Sequence, residues 1–180
     1  MLSNWDESFE LVIKHEGGFT SDERDPGNAL PDGRRGSTNL GCTQAVWEQY
    51  VGKQVTLDDM KRLTKEDVKP LYKQRYWDAV HGDRLNQGLD YVLFDTAINS
   101  GVSRASKFIQ EIVGVSADGA IGNNTLLAIG QFKDTVMLID EYCEKRLAFL
   151  KRLKTWPIYG RGWEKRVADV NETATRMATK

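Results

Sequence analysis

Apolar side chains recur at helical spacing along almost the whole chain. The first such stretch carries Trp5, Phe9 and Val12 on one face. Glu16 belongs to the same face, because it follows Val12 by four residues and Phe9 by seven. Two glycines come directly after it and end the helix. The pattern therefore predicts a helix that directs a carboxylate inward at its last turn.

A long loop and several capped helices follow this first helix. The loop runs from Thr20 to Cys42 and is rich in Gly, Asp, Arg and Pro. Thr43 and Thr56 each precede a helical stretch as N-caps, and Thr64 with Asp67 has the spacing of a capping box. Alternation typical of a strand never extends beyond a few residues, so any sheet is a small ribbon inside the loop. The predicted fold class is mainly α.

The second half of the chain is also helical. One helix places Asp95 and Asn99 one turn apart as a polar pair beside an apolar face. Two long amphipathic stretches follow, and a soft boundary lies near Gly101. The sequence thus predicts residues 1–100 as one domain and residues 101–180 as a helical segment packed against it.

Composition narrows the class of protein. The chain has 180 residues, of which 40% are hydrophobic, and a net charge of -1. That suits one compact unit or two small units with a shared interface. From Lys145 to Arg166 there are eight basic residues and one acid, Glu164. This stretch either lies against a polyanion or is a solvated helix face; we expect no nucleic-acid partner.

Several absences in the sequence give further expectations. Cys42 and Cys143 form no CxxC motif, so both are expected to be free, buried thiols. The N-terminus lacks the features of a signal peptide, and no apolar run is long enough to span a bilayer. We expect a protein made in the cytoplasm, without stable membrane association, and monomeric because no heptad seam is present. His81 and Asp83 are too few ligands for a metal site.

The placement of Glu16 favours acid catalysis. A carboxyl group on an apolar face loses solvation when it ionises, which favours the protonated acid that glycoside cleavage requires. A second carboxylate, roughly 6.5–9.5 Å away in an inverting enzyme, would hold the attacking water. The loop offers Asp22, Asp25 and Asp32 for this role. Alternatively, Glu16 is an ordinary C-terminal residue that turns to solvent, and the aspartates only form turns.

Motifs along the chain make this chemistry more specific. The stretches HEGGF, DERDPG and STNLGCT resemble, in this order, the N-terminal signature of glycoside hydrolase family 108. The members of that family are lysozyme-like muramidases, which are common among phage endolysins. LFDTAINSG followed by FIQEIVGVSADGAIGNNTL resembles the peptidoglycan-binding segment that usually follows. Together the motifs extend from about Phe9 to Leu127, and the implied fold is a lysozyme-like helical lobe.

The resemblance implies roles for particular residues. Glu16, Asp25 and Thr38 match the catalytic positions. The expected substrate-binding residues are Gly17, Gly18, Asn39, Thr43, Asp95 and Asn99. The two glycines would let a saccharide approach Glu16 closely, while Asp95 and Asn99 would either bind acetamido groups or cap neighbouring loops.

The resemblance also implies a substrate and a setting. The substrate is the β-1,4 bond between N-acetylmuramic acid and N-acetylglucosamine in bacterial peptidoglycan, and no cofactor is needed. An endolysin would be stored in the host cytoplasm and released to the wall at lysis. The alternatives are a lytic transglycosylase, which would use Glu16 without a water-activating aspartate, and a catalytically silent wall-binding protein.

One segment departs from the family pattern. Between Asn28 and Ser37 the chain carries ALPDGRRG, where relatives run almost directly into the TN motif. The insertion introduces Asp32, Arg34 and Arg35. Its arginines either meet carboxylates of the substrate or belong to a surface excursion without a role in binding.

Overall fold

A computed structural model describes residues 4–22 and 26–180. In this part of the chain, nine α-helices and one two-stranded antiparallel sheet make up the regular structure, together with two short 3-10 turns and one π-helical turn. The predicted mainly α class with a small β-ribbon is confirmed.

The elements follow one another in an almost uninterrupted helical series. The α-helices are α1 (Trp5–His15), α2 (Gln44–Val51), α3 (Leu57–Lys61), α4 (Lys65–Tyr72), α5 (Leu89–Ser100), α6 (Val102–Ile112), α7 (Asn123–Gln131), α8 (Thr135–Lys151) and α9 (Trp156–Ala178). The two strands are β1 (Thr38–Asn39) and β2 (Cys42–Thr43).

The chain divides into two compact units. The loop-rich unit is Phe9–Lys73, and the helical unit combines Met1–Ser8 with Gln74–Lys180. This division falls within α1. The division of the sequence into residues 1–100 and 101–180 stays a prediction.

Local hydrogen bonds fix the helix starts of the loop-rich unit. The Thr43 hydroxyl accepts from the backbone N–H of Val46 at the start of α2. Thr56 and Thr64 each form a full capping box, with Asp59 and Asp67 as the returning carboxylates. The predicted caps are therefore confirmed. The core below these helices consists of Phe9, Val12, Ile13, Leu30, Cys42, Met60, Val68, Leu71 and Tyr72.

The helical unit is built around α5. Residues 89–97 of this helix are all buried. Trp5, Trp77 and Phe94 pack edge to face, with ring centroids 5.3–5.6 Å apart. Both cysteines, Cys42 in the loop-rich unit and Cys143 here, are buried thiols outside any disulfide, as predicted.

Asp95 lies in the core of the helical unit. Its side chain is fully buried, and its Oδ2 accepts from Arg146 at 2.7 Å while its Oδ1 accepts from Arg166 at 2.8 Å. The two guanidinium groups hold the pKa of Asp95 below its usual value against the opposing effect of burial. Asp95 therefore joins α5 to α8 and α9. No part of its carboxylate reaches the surface, so the structure does not present it to the acetamido groups of a glycan.

None of the helices in the described part of the chain is both long and apolar enough to cross a membrane.

Candidate active site

Glu16 follows the last residue of α1. Phe9 and Val12, which share its predicted face, are fully buried, whereas Glu16 itself is half-buried. Its backbone N–H bonds to the carbonyl of Ile13 at 3.2 Å, which closes the last turn of the helix. The apolar stripe of α1 thus ends in a carboxyl group at the boundary between core and solvent.

The β-hairpin turns beside this carboxyl group. Leu40 and Gly41 form the two-residue loop between β1 and β2, and their φ angles are +51° and +73°. Positive φ at both positions is the geometry of a type I′ turn, in which glycine is strongly favoured. A Cβ atom on Gly41 would lie only 2.7 Å from Glu16 Oε2. Glycine in the TNxGxT motif therefore lets the hairpin turn contact the Glu16 carboxylate.

Tyr72 supports the same turn from the other side. Its hydroxyl donates to the carbonyl of Leu40 at 2.8 Å, and the same Cβ position on Gly41 would lie 2.7 Å from its oxygen. The ring is buried and packs edge to face on Phe9 of α1, with centroids 5.9 Å apart. Tyr72 thus links the helix that carries Glu16 to the hairpin. Sequence reasoning missed this residue, since its only signal is a place on the buried face of α4.

Thr38 is fixed by a second group of hydrogen bonds. Its backbone pairs with Thr20 through two bonds of 2.8 Å. Its hydroxyl donates to Asn28 Oδ1 at 2.8 Å, and the Asn28 Nδ2 donates to the carbonyl of Asp22 at 3.0 Å. Because the Asn28 amide nitrogen already serves a carbonyl, its oxygen must be the acceptor for Thr38. The threonine is left with lone pairs that can accept a further hydrogen bond.

Asn28 is the second residue that sequence reasoning missed. It is 2% exposed and is the last residue of the 3-10 turn Pro26–Asn28. In the sequence it directly follows the DPG motif. Asp25, the predicted partner carboxylate, lies outside the described residues. The sequence signal for Asn28 was only its place next to that motif.

The remaining predicted binding residues differ in accessibility. Gly17 and Gly18 are exposed, and a Cβ on either would meet no atom within 4 Å, so the surface beside Glu16 is open. Asn39 is buried, and its amide donates to the carbonyl of Met60 at 2.8 Å. Thr43 caps α2. Asn39 and Thr43 therefore help to hold the hairpin and the start of α2 in place, and their predicted contacts with a glycan stay predictions.

Asn99 is less constrained than its predicted partner Asp95. It is half-buried near the end of α5, and its side-chain oxygen accepts from the Ser100 hydroxyl at 3.1 Å. Its predicted contact with an acetamido group stays a prediction.

The insertion is tied to α2 by ion pairs. Arg34 donates to both carboxylate oxygens of Glu48, at 3.1 and 2.7 Å, and to Asp32 at 2.7 Å. Hydrogen bonds from Arg34 and from the backbone of Val55 lower the pKa of Glu48 to about 2. Arg34 is thus neutralised by protein carboxylates, while Arg35 is exposed.

No group of three or more His, Cys, Asp or Glu side chains is placed to hold a metal ion in residues 4–22 and 26–180.

Comparisons with known proteins show the family to which the chain belongs. The profile of the glycosyl hydrolase 108 family matches residues 9–101, and a profile described as a predicted peptidoglycan domain matches residues 104–168. The chain is similar to the structure of Brucella abortus SagA, with 36% sequence identity and a TM-score of 0.85, over 98% of this chain and 97% of that chain. No curated protein matches the chain. The resemblance carried by the motifs is confirmed.

Proposed function

Since the chain belongs to glycosyl hydrolase family 108, it is a glycoside hydrolase that acts on peptidoglycan, and we propose that it hydrolyses the β-1,4 bond between N-acetylmuramic acid and N-acetylglucosamine. The observation that carries this proposal is the contact between the Glu16 carboxylate and the turn of the TNxGxT hairpin. Glu16 and Gly41 are 25 residues apart in the sequence, and this contact brings their two motifs together within the loop-rich unit.

Glu16 acts in this proposal as the general acid. It protonates the glycosidic oxygen as the bond to the leaving sugar breaks. Its half-buried position reduces its contact with water, and the open surface at Gly17 and Gly18 leaves room for a saccharide. Tyr72 and Gly41 act as positioning residues, because they fix the hairpin turn against which the carboxylate rests.

Thr38 and Asp25 act in this proposal on the attacking water. Because the Thr38 hydroxyl donates its proton to Asn28, its oxygen can accept a hydrogen bond from water. Asp25 orients or deprotonates the same water, a role supported by its match to the DPG motif of the family. Asn28 is a positioning residue for Thr38.

The biological setting that we propose is an endolysin. It would accumulate in the host cytoplasm and reach the wall only when a separate pore opens the membrane. We expect cells that have accumulated the protein to lyse once their inner membrane is permeabilised. Cells that have accumulated the Glu16→Gln variant should not lyse under the same treatment. Lysis of intact cells by the cytoplasmic protein would contradict this route of release.

Product analysis tests the reaction. Purified peptidoglycan would be digested with the wild type and with Glu16→Gln, and the fragments analysed by mass spectrometry. We expect reducing-end N-acetylmuramic acid from the wild type and no product from the variant. Anhydro-muramic ends would identify a lytic transglycosylase and remove the role of Asp25. Binding to peptidoglycan without products from either protein would identify a silent wall-binding protein.

A further inference from the structure

The insertion, residues 29–36, folds back on its own base within the loop-rich unit. The backbone N–H of Leu30 donates to the carbonyl of Arg34 at 3.0 Å. At the base, the backbone N–H of Gly36 donates to the carbonyl of Asn28 at 2.8 Å. The insertion is therefore a closed loop whose two ends meet at Asn28.

The side chain of Arg34 attaches this loop to α2. Its guanidinium donates to both carboxylate oxygens of Glu48 in the bidentate geometry that arginine allows and lysine does not. Glu48 also accepts from the backbone N–H of Val55 at 3.0 Å and from Gln44 Nε2 at 3.2 Å, and its side chain is only 13% exposed. Since the pKa of Glu48 is lowered to about 2, with the hydrogen bond from Arg34 as the largest cause, the ion pair stays charged at neutral pH.

The same helix also holds the base of the insertion. The backbone N–H of Gln44 donates to the carbonyl of Ser37 at 2.7 Å, and the Ser37 hydroxyl donates to Gln44 Oε1 at 3.4 Å. A Cβ atom on Gly36 would lie 3.2 Å from the Cβ of Gln44, so the base of the loop packs closely on this side chain. Gln44 and Glu48 are one helical turn apart. The tip and the base of the insertion therefore rest on neighbouring positions of α2.

The base of the insertion leads directly to Thr38. Asn28 accepts from Gly36 with its backbone carbonyl and from the Thr38 hydroxyl with its side-chain oxygen, both at 2.8 Å. Its amide donates to the carbonyl of Asp22 at 3.0 Å, and the residue is 2% exposed. A displacement of the base would therefore move the acceptor that orients the hydroxyl of Thr38.

From this chain of contacts we infer that the Arg34–Glu48 ion pair positions Thr38 for catalysis. The pair holds the insertion on α2, the base of the insertion holds Asn28, and Asn28 directs the hydroxyl of Thr38. The inference rests on the proposed function in giving Thr38 a part in binding the attacking water. Because a misplaced group slows the reaction itself, the pair should affect the rate at saturating peptidoglycan more than the affinity for it.

Kinetics of the two partners test the inference. In Arg34→Gln, we expect the initial rate of fragment release at saturating peptidoglycan to fall about tenfold, and the half-saturating concentration to stay within about twofold of wild type. Glu48→Gln should behave similarly, and the double variant should be no slower than either single variant. Arg62→Gln is the matched control, since it breaks the exposed 3.1 Å pair with Asp59 in the same unit and should leave both parameters unchanged.

A double-mutant cycle tests whether Arg34 acts through Thr38. Thr38→Val removes the hydroxyl and keeps the shape of the side chain. In this background, Arg34→Gln should lower the rate less than about twofold, because the hydroxyl that the pair positions is already absent. Equal losses in both backgrounds would overturn the inference, since the ion pair would then act on the rate by another route.

Hydrogen exchange gives a second readout that does not depend on hydrolysis. The N–H of Gly36, which is bonded to Asn28, should exchange about tenfold faster in Arg34→Gln than in the wild type. The N–H of Val68 in α4 should keep its wild-type rate. Unfolding midpoints of the same samples check that the variants are folded.

Two further results would overturn the inference. The first is unchanged exchange at Gly36 in Arg34→Gln, which would mean that the pair does not hold the base of the insertion. The second is a change confined to the half-saturating concentration, which would mean that Arg34 contacts the substrate.

Failure of the proposed function would look different. Thr38→Val would then hydrolyse peptidoglycan at the wild-type rate, or the wild type would release no fragments. Either result would also remove the catalytic part of the inference, even if Gly36 exchanges faster in Arg34→Gln.

Discussion

The two units of the chain each place a carboxylate on the inward face of a helix, with opposite consequences. In the loop-rich unit, Glu16 comes just after the last residue of α1, is half-buried, and is followed by two exposed glycines. In the helical unit, Asp95 lies in the middle of α5, is fully buried, and is neutralised by Arg146 and Arg166. Helical periodicity alone does not distinguish these two positions.

Position along the helix explains the difference. A carboxylate in the middle of a buried helix cannot reach solvent, so it must be paired with cations to avoid a large desolvation cost. A carboxylate at a helix end borders a loop and stays accessible to a ligand. An inward carboxylate is therefore a candidate for catalysis where the chain leaves the helix, and for a structural ion pair where the helix continues.

The largest expected effect is the loss of activity in Glu16→Gln. Removing a general acid should lower the rate of peptidoglycan cleavage by about 10³-fold, or about 4 kcal/mol in the barrier. The unfolding midpoint should change little, because Glu16 is only half-buried. Glu10→Gln is the control on the same helix, where Glu10 is exposed and paired with Lys65. Comparable rates for the two variants would exclude Glu16 as the acid.

Asp95→Asn should show the reverse behaviour. It leaves Arg146 and Arg166 without their carboxylate in the core, so the free energy of unfolding should fall by about 3 kcal/mol or more. Urea denaturation measures this change. Asp140→Asn, at an exposed position on α8, should cost far less. A loss below about 1 kcal/mol in Asp95→Asn would mean that the ion pairs do not stabilise the helical unit.

Gly41→Ala should affect both stability and activity. The φ angle of +73° is unfavourable for alanine, and the new Cβ would overlap the Glu16 carboxylate. We expect a loss of about 1–2 kcal/mol in stability together with a drop of at least tenfold in activity. Gly52→Ala is a close control, because Gly52 has a φ angle of +72° and no atom within 4 Å of its Cβ position. It should lose stability alone, and an equal loss of activity in both variants would argue against contact-dependent positioning of Glu16.

The smallest expected effect is a pH dependence that arises from Asp90 in the helical unit. Burial raises the pKa of Asp90 to about 6, so the folded state binds a proton that the unfolded state has already lost. This contribution to stability is complete at pH values below about 4 and is lost as the pH rises through about 6. Asn4, Gly88 and Tyr91 all donate to Oδ1, an acceptor that asparagine retains.

The Asp90→Asn variant should therefore not lose this stability as the pH rises. The variant should gain about 1–2 kcal/mol over the wild type between pH 4 and pH 7, measured by denaturant unfolding at each pH. Parallel stability curves for the two proteins would show that Asp90 does not titrate in this range.

Local sequence patterns predicted the features that depend on near neighbours. The threonine caps of α2, α3 and α4, the burial of both cysteines and the ribbon within the long loop follow from spacing over a few residues. These features were accessible because each involves hydrogen bonds or dihedral angles within one short segment.

The partners of polar side chains were not accessible in this way. Asp95 is 51 residues from Arg146 and 71 from Arg166, and Tyr72 is 32 residues from Leu40. Such pairs depend on how elements pack, and helical periodicity carries no information about which cation faces which acid. The burial of Asn39 and the ion pairs of Arg34 were missed for the same reason.

Digestion of peptidoglycan in ¹⁸O-labelled water is the most direct test of the central claim, that Glu16 and the adjoining hairpin form a site for hydrolysis. Mass spectrometry of the products would detect the label at C1 of the new reducing-end N-acetylmuramic acid. We predict one ¹⁸O atom per cleavage by the wild type, and no labelled product from Glu16→Gln. Unlabelled anhydro-muramic ends, or labelled product from Glu16→Gln at the wild-type rate, would contradict the account.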